Sequence, residues 1–138
     1  MTDRNTPVIE EFRANEGRVV NAMGGMFANF SLLLLTTIGA KSGQQRISPL
    51  GFYRENGRIF IFASKGGAPD NPAWYHNLLA NPKVTVELGT DRFDATAVPI
   101  TGAERDDIYA KQATAAPNFA AYQENTTRLI PVIELQRA

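Results

Sequence analysis

Two short glycine-bounded stretches carry the cations best suited to holding an anion. Gly39-Ala40-Lys41-Ser42-Gly43, with Arg46 shortly after, combines backbone opened by glycine, a lysine point charge, a serine hydroxyl and a planar guanidinium fork. That set fits a phosphate or a carboxylate. The spacing is not that of a P-loop, which has a longer gap before its lysine and a helix after it. Ala63-Ser64-Lys65-Gly66-Gly67-Ala68 repeats the theme where a strand should end, with small residues and a lysine suited to a phosphate or to a flat ring lying against backbone. Each stretch alone reads equally as a surface turn with solvated charges. Together they flank one expected hairpin, can face one groove, and point to a phosphorylated ligand.

A third constellation is Trp74-Tyr75-His76-Asn77. On a helix these four residues point around the axis, but Trp74 and Asn77 share a face. The indole can cover a ring or sugar while the amide hydrogen-bonds to it. Core packing accounts for Trp74 about as well. His76 lies on a different face and reads as structural. Asp106-Asp107 beside Arg105, and Glu10-Glu11, read as solvated helix faces.

The rest of the composition excludes most other chemistry. The chain has no cysteine and a single histidine, so disulfides, thiolate nucleophiles and multi-histidine metal sites drop out and no metal is expected. No Ser-His-Asp order or carboxylate pair stands out, so redox work would have to come from a bound cofactor. Fourteen basic and fourteen acidic side chains cancel, leaving no bulk field for nucleic acid. The longest apolar run, Leu32 to Leu35, is far too short to span a bilayer. Met1 to Pro7 carries Asp3 and Arg4 with no apolar stretch behind it, so no secretory signal is read and a cytoplasmic location is expected.

The elements that must position these residues follow from periodicity and turn chemistry. A single domain is expected over residues 1–138, with residues 1–30 forming a helix and connector. Thr6-Pro7 starts a helix, which Val8, Ile9, Phe12, Val19 and Val20 extend toward Gly24-Gly25. Met26 to Phe30 is an apolar connector. Strands are expected at Leu32 to Ile38, at Arg46 to Tyr53 with Pro49 marking a bulge or an edge, and at Arg58 to Ala63 across the Asn56-Gly57 turn. Ser64 to Pro72 is a loop, and Pro72 opens a short helix that Asn81-Pro82 ends. Strands then cover Val84 to Leu88 and Phe93 to Ile100. Helices follow at Gly102 to Ala116 and near Pro117 to Asn125, and the last strand runs from Ile130 to Leu135. Six strands joined largely by hairpins predict a mainly β (α+β) fold, a largely antiparallel barrel with flanking helices, and not a doubly wound parallel sheet.

The segments LTTIGAKSGQQRISPL, FASKGGAPDNPAWYHNLLANPKVTVEL and YQENTTRLIPVIEL resemble the deazaflavin-dependent nitroreductase family of actinobacteria. The likeness runs from Leu32 to Leu135, and its joint pattern of SKGGAP, PAWYHNL and ANP is specific. The resemblance implies a split β-barrel that binds coenzyme F420, a deazaflavin with a phosphate and an oligoglutamate tail. It assigns Lys41, Ser42 and Arg46 to the tail. Ile47, Ser48, Pro49 and Leu50, with Ala63, Ser64, Lys65, Gly66, Gly67 and Ala68, fall to the phosphate and ring. Trp74, Tyr75 and Asn77 lie on the helix that closes the site. The chain departs from the family at Ala40, where a basic residue is usual, and at Phe119, where tyrosine is common; Tyr122 is kept.

The implied reaction is hydride transfer from reduced F420 to an electron-poor small molecule (an enone, a quinone or a nitro compound), with Tyr122 or solvent delivering the proton. FMN is the alternative cofactor, and a non-catalytic F420 carrier the alternative role. Met23, Met26, Phe27 and Phe30 motivate a further reading with peripheral membrane contact. A monomer or weak homodimer is expected.

Overall fold

The computed structural model describes residues 6–19 and 32–137. Within them β1 (Leu32–Ile38), β2 (Gln45–Glu55), β3 (Arg58–Phe62), β4 (Lys83–Leu88), β5 (Asp91–Ile100) and β6 (Val132–Arg137) close an antiparallel barrel in the order β1-β2-β3-β6-β5-β4. The expected six-stranded antiparallel barrel is borne out. Helices α1 (Thr6–Ala14), α2 (Ala73–Ala80), α3 (Gly102–Ala115) and α4 (Asn118–Glu124) flank it, with a 3-10 turn at Lys65–Gly67. No described helix is long and apolar enough to cross a membrane.

Strand alternation sorts the apolar side chains into an inner and an outer set. Leu33 and Leu35 of β1 face the interior with Ile59, Ile61, Val84, Val86, Ile133 and Leu135, and Trp74 and Leu78 of α2 join that cluster. Leu32 and Leu34 face outward and are covered by Val8 and Phe12 of α1. Phe60, Phe62 and Val132 form a third patch under Ile108 and Tyr109 of α3.

β2 divides its pairing, and this opens the cleft described below. Residues 45–51 pair with β1, while only Phe52 to Glu55 pair with β3. Among the described residues the first half of β2 therefore has no strand partner on its β3 side. Pro49 sits in this half opposite Leu34 with the register unbroken on both sides, so it marks an edge and not a bulge. The Asn56-Gly57 turn has positive φ at both residues, as a two-residue hairpin of this type requires.

The end of α1, the start of α2 and the burial of Arg105 differ from expectation. The first helix does not continue toward residue 24 but stops at Ala14. Gly17 N–H donates to Phe12 O at 2.7 Å while Glu16 takes φ 58°, the geometry of a Schellman stop. Gly17 itself lies so close to Gly89 that a Cβ there would come within 2.8 Å of the Gly89 Cα. Val20 and the Met23–Phe30 cluster fall outside the described residues. Pro72 is the extended cap of α2, with ψ 155°, and not its first helical residue. Arg105, read beside Asp106-Asp107 as solvated, is only 5% exposed. Its Nε and Nη2 donate to Ile130 O, and its guanidinium lies 4.6 Å from the Tyr109 ring centroid. Asp106 and Asp107 are exposed as expected.

Candidate functional site

The open half of β2, the turn between β1 and β2, and α2 enclose a cleft of about 730 Å³. Its lining brings together Gly39, Ala40, Lys41 and Ser42 from the turn, Arg46, Ile47 and Ser48 from β2, and Ala73, Trp74, His76 and Asn77 from α2. Alternation places Arg46, Ser48 and Leu50 on one face of β2 and Ile47 and Pro49 on the other. Ile47 packs toward α1 and Leu50 against the barrel core, so of these five only Arg46, Ile47 and Ser48 border the cleft. Tyr75, also assigned to the site, packs against the barrel cluster.

Asn77 joins two walls of this cleft. Ala40 N–H donates to its Oδ1 at 3.0 Å, and its Nδ2 donates to Thr37 Oγ1 at 3.3 Å. The amide expected to meet a ligand is thus engaged in holding α2 against the β1–β2 turn. Trp74 is 8% exposed and belongs to both settings, since its ring is part of the barrel core and also forms a wall of the cleft. A Cβ on Gly39 would sit 2.5 Å from Ser42 Oγ, so a side chain there would push the serine hydroxyl aside. Gly43 carries the turn's left-handed residue at φ 69°.

The electrostatics of the cleft are one-sided. Among the described residues Lys41, Arg46 and His76 border it and no carboxylate does. Lys41 and Arg46 are exposed, and among the described residues neither has a hydrogen-bond or ion-pair partner. The cavity of about 360 Å³ at another part of the barrel offers a contrast, for its lining mixes Arg54, Arg58 and Arg137 with Asp91 and Glu134. There Arg58 grips Glu134 at 2.9 and 3.0 Å and Arg137 pairs with Asp91. The hydrogen bonds from Arg58 hold the Glu134 carboxyl below the usual carboxylate range.

The loop Ala63–Ala68 does not border the cleft. It runs into α2 and packs beneath α4, where a Cβ on Gly67 would come within 2.8 Å of Tyr122 O. Lys65 takes φ 45° and its ammonium pairs with Asp70 at 3.1 Å, which holds the Asp70 carboxyl below its ordinary range. Among the described residues, the two lysine-bearing stretches thus do not share one cavity wall.

Tyr122 lies with this loop, half-buried. Its ring meets Phe119 edge-on at 5.2 Å, and Asn118 Nδ2 lies 2.7 Å from its hydroxyl. Behind it Tyr109 donates to Phe119 O at 2.6 Å, and burial pushes its phenol up to about 12.

Two residues of this region carried no sequence signal. His76, read as structural, borders the cleft. Arg128 holds the 63–71 loop from beneath, with hydrogen bonds to Ala63 O, Ser64 O, Ala68 O and Asn71 Oδ1. Arg128 lies within the segment YQENTTRLIPVIEL, but neither its type nor its spacing marks it as the partner of a loop some sixty residues earlier until the fold brings the two together.

A closed six-stranded barrel, a strand edge left open beside it and a cleft bordered by Lys41 and Arg46 lie together against one flanking helix. The model of the F420H(2)-dependent quinone reductase family matches residues 6–136, and the chain belongs to that family. An F420H(2)-dependent quinone reductase of Mycobacterium tuberculosis (strain ATCC 25618 / H37Rv) is 41% identical over 131 residues, covering 91% of this chain and 85% of the relative. A solved F420-H2 dependent reductase aligns with TM-score 0.70 and 44% identity over 76% of this chain and 93% of its own. A second solved structure, described as a domain-swapped dimer, aligns with TM-score 0.72 and 37% identity over 95% of this chain and 96% of its own. The protein is an F420-dependent oxidoreductase, as the sequence resemblance implied.

Proposed function

We propose that this chain passes a hydride from reduced F420 to a quinone, and that the cleft beside α2 takes the anionic part of the cofactor. The carrying observation is the one-sided cleft, in which Lys41, Arg46 and His76 stand without a carboxylate. A phosphate followed by several carboxylates gains from such a lining, whereas a neutral ligand would leave the exposed cations unanswered. The residues present fit the group. Lys41, Ser42 and Arg46 hold the tail, and Ser48 with the unpaired edge of β2 offers polar backbone toward the phosphate. Trp74 gives a flat apolar wall, and the Ala63–Ala68 loop, which leads into α2, would meet the ring. Bound there, reduced F420 supplies the hydride.

The chain's own part is positional. The barrel and α2 are tied through Asn77, so the backbone that carries Lys41 and Ser42 is set before the ligand arrives, and fixed orientation lowers the barrier that a mobile pair would face. Tyr122, beside the Ala63–Ala68 loop, is placed to orient the acceptor's oxygen or give it a proton, and its hydroxyl stays near Asn118 until then. The names of the relatives favour a quinone over an enone or a nitro compound as acceptor. The domain-swapped relative favours a homodimer over a monomer, and the sequence favours a cytoplasmic setting with no need of nucleic acid.

Titration of the purified protein with F420 and with FMN, followed by fluorescence quenching, tests this reading. F420 should bind at micromolar concentration or below and FMN far more weakly, and reduced F420 should be consumed on addition of a soluble benzoquinone or naphthoquinone. FMN binding as tightly as F420, or binding of F420 with no quinone turnover, refutes it; the second result favours a carrier.

A further inference from the structure

Arg128 makes four hydrogen bonds to a loop some sixty residues away in sequence. Its Nε donates to Ala68 O at 2.9 Å, Nη1 to Ala63 O at 3.0 Å and to Asn71 Oδ1 at 2.8 Å, and Nη2 to Ser64 O at 2.8 Å. The guanidinium therefore grips both ends of the Ala63–Asn71 loop at once. Arg128 is itself held, since Gln123 Nε2 donates to its carbonyl at 2.8 Å and Arg128 N–H donates to Thr126 Oγ1 at 3.4 Å. Gln123 Oε1 in turn accepts from buried Arg105 at 2.7 Å and from Ile130 N–H at 3.1 Å. A continuous chain of polar contacts thus runs from α3 through α4 to the loop.

We infer that Arg128 is a positioning residue for the cofactor, acting through the loop and not by touching the ligand. The inference rests on the reading of Ala63–Ala68 as part of the F420 site. In a trans peptide the C=O and the next N–H point in opposite directions. Drawing the carbonyls of Ala63 and Ser64 onto the guanidinium therefore turns the N–H groups of Ser64 and Lys65 to the far side of the loop, where they can donate to a ligand. The same grip sustains Lys65 at φ 45°, a conformation that a lysine adopts only when its surroundings hold it there. Without the clamp, the loop's ordering would have to be supplied at the moment of binding. Lysine cannot replace the arginine, because one ammonium cannot span acceptors at both ends of the loop.

The test uses the full chain and the variants Arg128→Ala and Arg128→Lys. In the cofactor-free protein, amide exchange at Gly67 and Ala68, whose N–H groups donate to Ser64 O and Lys65 O, should accelerate about tenfold or more in both variants while the barrel strands keep their protection. Titrated with F420, both should show Kd raised about tenfold or more, since freeing even one loop residue has that magnitude. The salt dependence of binding should stay that of the wild type, because Arg128 does not contact the anion. Methylguanidinium should return part of the affinity to Arg128→Ala. Where the alanine variant does not fold, Arg128→Lys carries the exchange and titration measurements.

Unchanged Kd in a folded variant overturns the inference, and so does full affinity in Arg128→Lys, which would show that charge alone suffices. A reduced salt slope would mean that Arg128 contacts the anion directly and also overturns it. If the wild type itself fails to bind F420, the cofactor reading falls first and this role falls with it. Wild-type binding with unaltered variants removes only the role of Arg128.

Discussion

Asn77→Ala removes the one side chain seen to tie α2 to the β1–β2 turn, and its cost follows from what it leaves behind. Ala40 is exposed, so water can replace the lost acceptor for its N–H and that bond contributes at the low end of a neutral hydrogen bond, about 0.5 kcal/mol. Thr37 has no solvent exposure, so its hydroxyl loses a partner that water cannot supply, at about 1–3 kcal/mol. The sum, roughly 1.5–3.5 kcal/mol, should lower the melting temperature by roughly 5–15 °C in a chain of this length. Because the turn carries Lys41 and Ser42, F420 affinity should fall as well. Asn77→Asp separates the two effects. It keeps the acceptor for Ala40 and lets the Thr37 hydroxyl donate, yet places a negative charge in a cleft that has none. Its affinity for F420 should therefore drop further, relative to its loss of melting temperature, than that of the alanine variant. Thermal unfolding followed by circular dichroism, and fluorescence titration with F420, read both quantities. An alanine variant that melts with the wild type and binds F420 equally well refutes the argument, as does an aspartate variant with undiminished affinity.

Arg46→Ala removes a charge-assisted contact of roughly 1.5–3 kcal/mol, so F420 affinity should fall about ten- to a hundredfold, with a weaker salt dependence than the wild type, measured by titration at two ionic strengths. An unchanged Kd would place the tail elsewhere. Tyr122→Phe should leave F420 affinity nearly intact while quinone turnover drops, by roughly 10²-fold if the hydroxyl is the proton donor and less if it only orients the acceptor; normal turnover would reduce Tyr122 to a packing residue against Phe119. Tyr109 titrates at about 12 in the folded chain because burial disfavours its phenolate, against an ordinary value of 10.0. The folded state then holds the proton that the unfolded chain releases, so this contribution is complete below pH 10 and declines as pH rises toward 12. Denaturant unfolding across that window should fall more steeply for the wild type than for Tyr109→Phe, and equal slopes would show the phenol to be unshifted.

Legibility in the sequence tracked how local each interaction is. The β1 strand was readable to its ends because a run of apolar and β-branched residues between turn signals needs no tertiary help. The β2–β3 hairpin was readable because Asn56-Gly57 demands positive φ at both positions. The end of α1 was not, since its stop depends on Glu16 taking a left-handed conformation and on Gly17 lying against Gly89, seventy-two positions on.

The candidate site divides along the same line. Glycines, lysines and an arginine in short stretches declare an affinity for anions, and turn signals between alternating strands predict the antiparallel barrel. That much the residues determined by themselves, because chemical type and turn propensity are properties of a few adjacent positions; the cofactor was implied by the family resemblance that the motifs around them carry. Only the tertiary structure decided that Lys41 and Arg46, without an ion-pair partner among the described residues, stand beside His76, while Lys65 is matched by Asp70. It alone engaged the Asn77 amide between two walls, sent Leu50 into the core, buried Arg105, and set Arg128 beneath the loop. Those outcomes depend on which strand edge is left open and which distant segments meet there, and closure of the barrel is what fixes both.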